Sequence, residues 1–148
     1  MDHRQVKFTK LDSRAGAPEC GTPYAAGADL RAVSDEPITI RPNETVLVHT
    51  GLAMEIPEGL VGLVYARSGL ASKRGLAPAN CVGVIDSDYR GEIMVALHNH
   101  SEEMQTIESG ERIAQLVIAP YISAEFIEAG SLSDTDRGQG GFGSTGTK

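Results

Sequence analysis

Residues 80–94 read Asn80-Cys81-Val82-Gly83-Val84-Ile85-Asp86-Ser87-Asp88-Tyr89-Arg90-Gly91-Glu92-Ile93-Met94. A β-branched run, a polar turn and a second apolar run make this strand, tight turn, strand. Similar short alternating or β-branched runs recur at Val6 to Leu11, Ile38 to Ile40, Thr45 to His49, Leu60 to Tyr65, Ile93 to Leu97, Met104 to Ile107 and Ala114 to Ile118. Turn signals separate them, as in Arg41-Pro42-Asn43-Glu44, Ile56-Pro57-Glu58-Gly59 and Ser109-Gly110. No segment keeps a helical apolar period for the roughly 12 residues an amphipathic helix needs. At most, Ser68 to Arg74 makes a short turn of helix, with Leu70 and Ala71 inward and Lys73 and Arg74 in water. Many short strands with Gly and Pro turns predict an all-β fold, a sandwich or a barrel.

The chain has 148 residues and a mass of 15.7 kDa, enough for one core and not two. Hydrophobic residues at 41% and charged residues at 22% exclude disorder, collagen and coiled coil. A formal net charge of -7 argues against a sequence-independent grip on a nucleic-acid backbone, so an anionic ligand must meet a local cluster of positive charge. No apolar run approaches the roughly 18 residues of a membrane helix, and the N-terminus carries Asp2, Arg4, Lys7, Lys10 and Asp12 in place of a signal peptide's apolar stretch. No membrane partner and a cytoplasmic location are therefore expected. Cys20 and Cys81 form no CxxC pair, which suits a reducing compartment and gives no zinc framework.

After Leu132 the composition changes. Residues 1–132 read as one β domain, and residues 133–148 as a flexible Gly-rich C-terminal arm. Arg137-Gly138-Gln139-Gly140-Gly141-Phe142-Gly143-Ser144-Thr145-Gly146 holds five glycines in ten residues. Such a segment has too much conformational entropy to hold one shape alone. Its literal GxGxxG is not a dinucleotide fingerprint, because only five residues follow Gly143. Arg137 offers a bidentate phosphate fork, Ser144 and Thr145 offer hydroxyls, the glycine amides can approach an anion closely, and Phe142 can stack on a base. A lid closing over a nucleotide would use all of these.

Two further segments carry chemistry on their own residues. In Ala66-Arg67-Ser68-Gly69-Leu70-Ala71-Ser72-Lys73-Arg74-Gly75, the amides of Ser68 and Gly69 can face an anion, or the segment is an N-capped surface turn. Without a GxSxG, Ser68 is not a hydrolase nucleophile. In the 80–94 stretch, Asp86 and Asp88 either cap their own turn or supply a general base. His98 and His100 share a strand face but lack a third ligand, and they read, with His3 and His49, as exposed positions rather than a metal site. Gly27-Ala28-Asp29-Leu30-Arg31-Ala32 and Gly110-Glu111-Arg112-Ile113-Ala114-Gln115-Leu116 each read as a turn into a strand.

In order and spacing, these segments resemble the five motifs of the homotrimeric deoxyuridine triphosphatase (dUTPase) family: Gly27 to Ala32, Ala66 to Gly75, Gly83 to Ile93, Gly110 to Pro120 and Arg137 to Gly146. The resemblance implies a distorted jelly-roll or β-sandwich-like barrel. It implies a homotrimer whose sites lie between subunits, each closed by a neighbour's C-terminal arm. It further implies hydrolysis of dUTP to dUMP and pyrophosphate by water attack on the α-phosphate, which keeps uracil out of DNA and supplies dUMP for thymidylate synthesis.

Carried over by motif position, Asp86 resembles the residue that activates the attacking water, and Tyr89 the platform under the deoxyribose. Asn80 and the backbone at Gly83, Val84, Ile85 and Met94 correspond to the uracil pocket. Arg67, Ser68, Gly69 and Gln115 correspond to phosphate contacts, joined by Arg137, Gly143 and Ser144 when the arm closes and brings Phe142 over the base. Mg2+ is implied as cofactor, held by the triphosphate and waters, with Asp29 supporting those waters and no direct protein ligand.

Two alternatives stand beside this reading. The dCTP deaminases share the fold and part of the third motif, but Ala96 falls where they carry a strand glutamate, and an alanine transfers no proton. A non-catalytic nucleotide-binding β-sandwich protein would have no need of Asp86.

Overall fold

Alternation along the strands decides which faces meet. In β9 (Glu92–Asn99), Ile93, Val95, Leu97 and Asn99 are buried while Met94, Ala96 and His98 point to the other side. A computed structural model describes residues 3–141. In it β9 lies in a four-stranded sheet ordered β1 (Lys7–Lys10), β5 (Thr45–Glu55), β9, β7 (Leu76–Pro78). A five-stranded sheet runs β2 (Glu19–Cys20), β3 (Gly27–Arg31), β11 (Arg112–Pro120), β6 (Leu60–Tyr65), β8 (Gly83–Ile85). The pair β10 (Gln105–Ile107) and β4 (Ile38–Ile40) makes a third, small sheet, and every pairing is antiparallel.

The fold is an open β-sandwich; its sheets do not close into a barrel. Leu30, Val64 and Leu116 from the five-stranded sheet share one core with Val48, Leu52, Val95 and Leu97 from the four-stranded one. Leu30, Leu52, Leu76, Leu97, Ile107 and Ile113 are wholly buried, each contributing about 1.5–3 kcal/mol. The buried Asn99 is fully satisfied. Its amide donates to the carbonyls of Ile40 (3.0 Å) and Glu103 (2.7 Å), and its oxygen accepts from the Ser101 amide and hydroxyl.

The structure corrects three expectations. The stretch 80–94 is not a paired hairpin: β8 pairs with β6 and β9 with β5 and β7, so the two strands part into different sheets. The single helix among the described residues, α1, does span Ser68–Arg74, and Leu70 is its buried residue, but Arg74 is not in water. Its guanidinium donates to Gln105 (3.0 Å), Glu111 and the Thr106 carbonyl, tying the helix end to β10 and the start of β11. Finally, β5 continues past His49 to Glu55 through a register shift against β9, because Gly51 absorbs the irregularity at φ +66°. No helix among the described residues is long and apolar enough to cross a membrane.

Candidate active site

Where β8 and β9 part, they leave a cavity of about 340 Å3. Asn80, Gly83, Val84, Ile85, Asp86, Tyr89 and Met94 all line it, so the predicted base-reading residues and the predicted base come together. β8 is the last strand of its sheet, and the strand edge it turns toward the cavity has no partner strand. Unpaired backbone donors and acceptors are what a heterocycle can read with fixed geometry.

The turn after β8 is stiff. The Tyr89 amide donates to the Asp86 carbonyl (3.2 Å), and Arg90 Nη1 donates to the carbonyls of Ser87 (2.6 Å) and Tyr89 (2.9 Å). The Asp86 carboxylate takes no hydrogen bond from the described residues, so it does not cap its own turn. Its lone pairs are available to a water on the cavity rim. Tyr89 lies half-exposed, with its hydroxyl donating to the Glu92 carbonyl at 2.9 Å. Neither Arg90 nor Glu92 stood out in the sequence, because both act through backbone carbonyls or amides that only the folded turn brings near.

A second group sits on the outer face of the five-stranded sheet. Register places Asp29, Gln115 and Tyr65 in one row across β3, β11 and β6. Arg67 Nε donates to Asp29 Oδ1 at 2.7 Å and Arg112 Nη1 to Oδ2 at 3.1 Å, with the carboxylate mostly buried. Gln115 Nε2 donates to the Ala66 carbonyl at 2.9 Å, fixing the chain just before Arg67. Ser68 and Gly69 follow at the exposed start of α1, whose first turn carries no acid and no side-chain cap. The result is a positive cluster whose two arginines are already oriented by one carboxylate. Arg112 is a member that motif reading did not single out.

The two groups are far apart within one chain. Ile85 faces Gly62 across the β6–β8 ladder, Asp86 follows Ile85 in one direction, and Arg67 lies five residues beyond Gly62 in the other. At about 3.3 Å per residue, Asp86 and Arg67 stand about 20 Å apart along the strands, longer than a triphosphate. One chain supplies a cleft with a carboxylate at its rim, and separately an arginine cluster.

The chain beyond β11 stands apart from both groups. Residues 121–141 form no strand or helix, and Ile122, Phe126, Ile127 and Leu132 are between 80% and 95% exposed. Arg137 is exposed and donates from Nε to the Gly140 carbonyl at 2.8 Å. Phe142, Gly143 and Ser144 lie outside the described residues.

Among the described residues no three His, Cys, Asp or Glu side chains gather as a metal cage. Each Asp29 oxygen accepts a single arginine and keeps a lone pair for a water proton. That donor set fits a hydrated Mg2+ carried by phosphates, which asks the protein for water partners rather than direct ligands.

The chain thus carries an edge-strand pocket with a free carboxylate at its rim and, apart from it, an arginine cluster on an all-β sandwich. The family model for dUTPase matches residues 13–146. The chain is 52% identical over 143 residues to the deoxyuridine 5'-triphosphate nucleotidohydrolase of Desulfitobacterium hafniense (strain DSM 10664 / DCB-2), covering 96% of this chain and 95% of that one. It is 48% identical over 147 residues to the protein of that name from Rickettsia felis, covering 99% of each. Among solved structures, the Staphylococcus bacteriophage 80alpha dUTPase with dUPNHPP superposes with a TM-score of 0.87 at 31% identity, covering 97% of this chain and 99% of that one. The chain belongs to the dUTPase family. The comparisons favour this reading over a dCTP deaminase or a non-catalytic nucleotide-binding protein.

Proposed function

We propose that this chain hydrolyses dUTP to dUMP and pyrophosphate at sites assembled between the subunits of a homotrimer, lowering dUTP and supplying dUMP. The observation that carries the assembly is the separation within one chain of Asp86 from the Arg67 cluster. A triphosphate bound at the β8–β9 cleft must find its phosphate contacts on another copy. The apolar side chains of 121–132, which a lone chain would leave in water, support the same reading.

In this mechanism the uracil edge enters between β8 and β9 and meets the Asn80 side chain and the backbone at Gly83, Val84, Ile85 and Met94. A cytosine would leave buried donors or acceptors unpaired, which is a strong basis for rejection. The deoxyribose packs on Tyr89. Asp86 orients a water and takes its proton as the water attacks the α-phosphate; pyrophosphate departs with the electrons of the P–O bond. Arg67, Ser68, Gly69 and Gln115 of a neighbouring subunit hold the departing phosphates, where positive charge stabilises the charge that builds on the leaving group. Mg2+, when bound, neutralises phosphate charge, and Asp29 orients its waters.

The 133–148 arm then covers the site, with Arg137 and Ser144 at the phosphates, the Gly143 amide close to them and Phe142 on the base. The free thiols of Cys20 and Cys81 support a cytoplasmic address. A panel of dUTP, dTTP, dCTP and UTP with Mg2+ tests the chemistry: hydrolysis confined to dUTP is expected, and comparable dCTP turnover would refute the pocket assignment. Light scattering tests the assembly; a monomer at micromolar concentration would refute shared sites.

A further inference from the structure

We infer that discrimination between deoxyribose and ribose is set by Gly91 and Glu92, which together form a seat for the Tyr89 ring; this rests on the reading of Tyr89 as the sugar platform. The Tyr89 ring folds back over Gly91. A Cβ on Gly91 would stand 2.6 Å from the ring carbon bearing the hydroxyl, closer than carbon atoms approach, and 3.0 Å from Cε2, a tight contact. Any side chain there must therefore lift the ring. Beyond Gly91, the Glu92 carbonyl accepts the Tyr89 hydroxyl at 2.9 Å, so one residue leaves room for the ring and the next fixes its tip.

The carbonyl that fixes the ring is itself held. The Glu92 carboxylate spans the register shift between β5 and β9, accepting the Gly51 amide at 2.8 Å and facing His49 Nδ1 at 2.9 Å. Burial pushes the Glu92 carboxyl up, but the hydrogen bonds from His49 and the Gly51 amide outweigh it and keep the group below the usual carboxylate range. Gly51 holds its place at φ +66°, where a Cβ would meet Ala15 Cβ at 3.0 Å and Asp12 Cβ at 3.1 Å. Steric rejection of a 2'-hydroxyl requires a ring that does not yield. A tyrosine tethered at its tip and backed by a carboxylate-braced strand is such a ring, and a freely rotating one is not.

The test compares kcat and KM for dUTP and UTP in four variants. In Gly91→Ala the obstructed ring can swing outward, so the fold should survive while the dUTP preference in kcat/KM falls about tenfold or more, mainly through KM. Glu92→Ala should lose part of the preference, and Glu92→Gln, which keeps an acceptor for the Gly51 amide, should restore it. That pair also serves if Gly91→Ala fails to fold. Tyr89→Ala reports on the platform alone. Lost preference in Tyr89→Ala with full preference in Gly91→Ala and Glu92→Ala overturns the seat and leaves the platform standing. Full preference in Tyr89→Ala overturns the platform and the seat together.

Discussion

The cleft between β8 and β9 and the Asp29 cluster sit at opposite ends of the β6 strand, and they treat their carboxylates in opposite ways. Asp29 is paired with two arginines, while Asp86 takes no hydrogen bond from the described residues. A carboxylate paired with two arginines orients cations and is held in its charged form, with its remaining lone pairs left for water. An unsatisfied one is a proton acceptor in waiting. The division keeps the paired charge and the unpaired charge about 20 Å apart along the strands of one chain, too far for either to neutralise the other.

The largest effect should come from breaking the reactive half. Asp86→Asn keeps the shape of the cleft, and loss of a general base commonly costs on the order of 100 to 10,000-fold. Binding of a non-hydrolysable dUTP analogue should remain near wild type by calorimetry. Activity within a few-fold of wild type would move the base to Asp88.

Truncation after Asp136 removes the arm proposed to act as a lid and leaves both halves of the comparison intact. Turnover should fall by about 10 to 100-fold, because positioning is lost while the carboxylate stays. Circular dichroism and light scattering should be unchanged. Mixing truncated chains with Asp86→Asn chains should then recover activity, since a mixed trimer can pair an intact carboxylate with an intact arm. Failure to recover any activity would contradict sites built from several chains.

Asp29→Asn should act on the binding half. With the negative charge gone, one acceptor replaced by an amide N–H that faces a guanidinium, and Arg67 facing Arg112 unscreened, stability should fall by about 1.5–3 kcal/mol in urea melts, and KM for dUTP should rise more than kcat falls. An unchanged KM would mean that the arginines find their places without it.

The smallest effect serves as a control on burial. Asp12 is also clasped by an arginine, but at the surface: hydrogen bonds from the Arg14 side chain and amide lower its carboxyl from 3.8 to about 2. A carboxyl depressed in the folded state contributes stability above its unfolded value, and that contribution disappears as pH falls through the folded one. Between about pH 4 and pH 2, Asp12→Asn should therefore lose less stability than wild type, with the difference shrinking in added salt. A difference as large as that of Asp29→Asn would show that burial is not what distinguishes the two clasps.

Local signals found the strands that carry regular alternation: Ile38 to Ile40 and Leu60 to Tyr65 match β4 and β6 residue for residue, as Ser68 to Arg74 matches α1. β2, of two residues, is too short for any period to register, and β7, Leu76-Ala77-Pro78, lacks the β-branched residues that mark the equally short β4. The 80–94 stretch shows the limit most clearly. Its turn chemistry was legible, but whether two strands pair with each other or with third parties is decided by β5 and β6, far away in sequence. The site residues of the cleft were legible as a motif. Arg112, Arg90 and Glu92 were not, since a side chain that serves a distant carboxylate or a backbone carbonyl leaves no periodic or compositional trace.

β8 has one further consequence, for solubility. An open strand edge is a template on which another molecule's backbone can zip, and proteins guard such edges by keeping them short, charged or covered. With three residues between Val82 and Asp86, this edge is too brief to nucleate a chain-to-chain ladder, yet it holds enough donors and acceptors for the few hydrogen bonds of a nucleobase. The shortness that would discourage fibrils also suits the slot proposed above for a single heterocycle, so lengthening β8 by even two strand-forming residues should trade selectivity for stickiness.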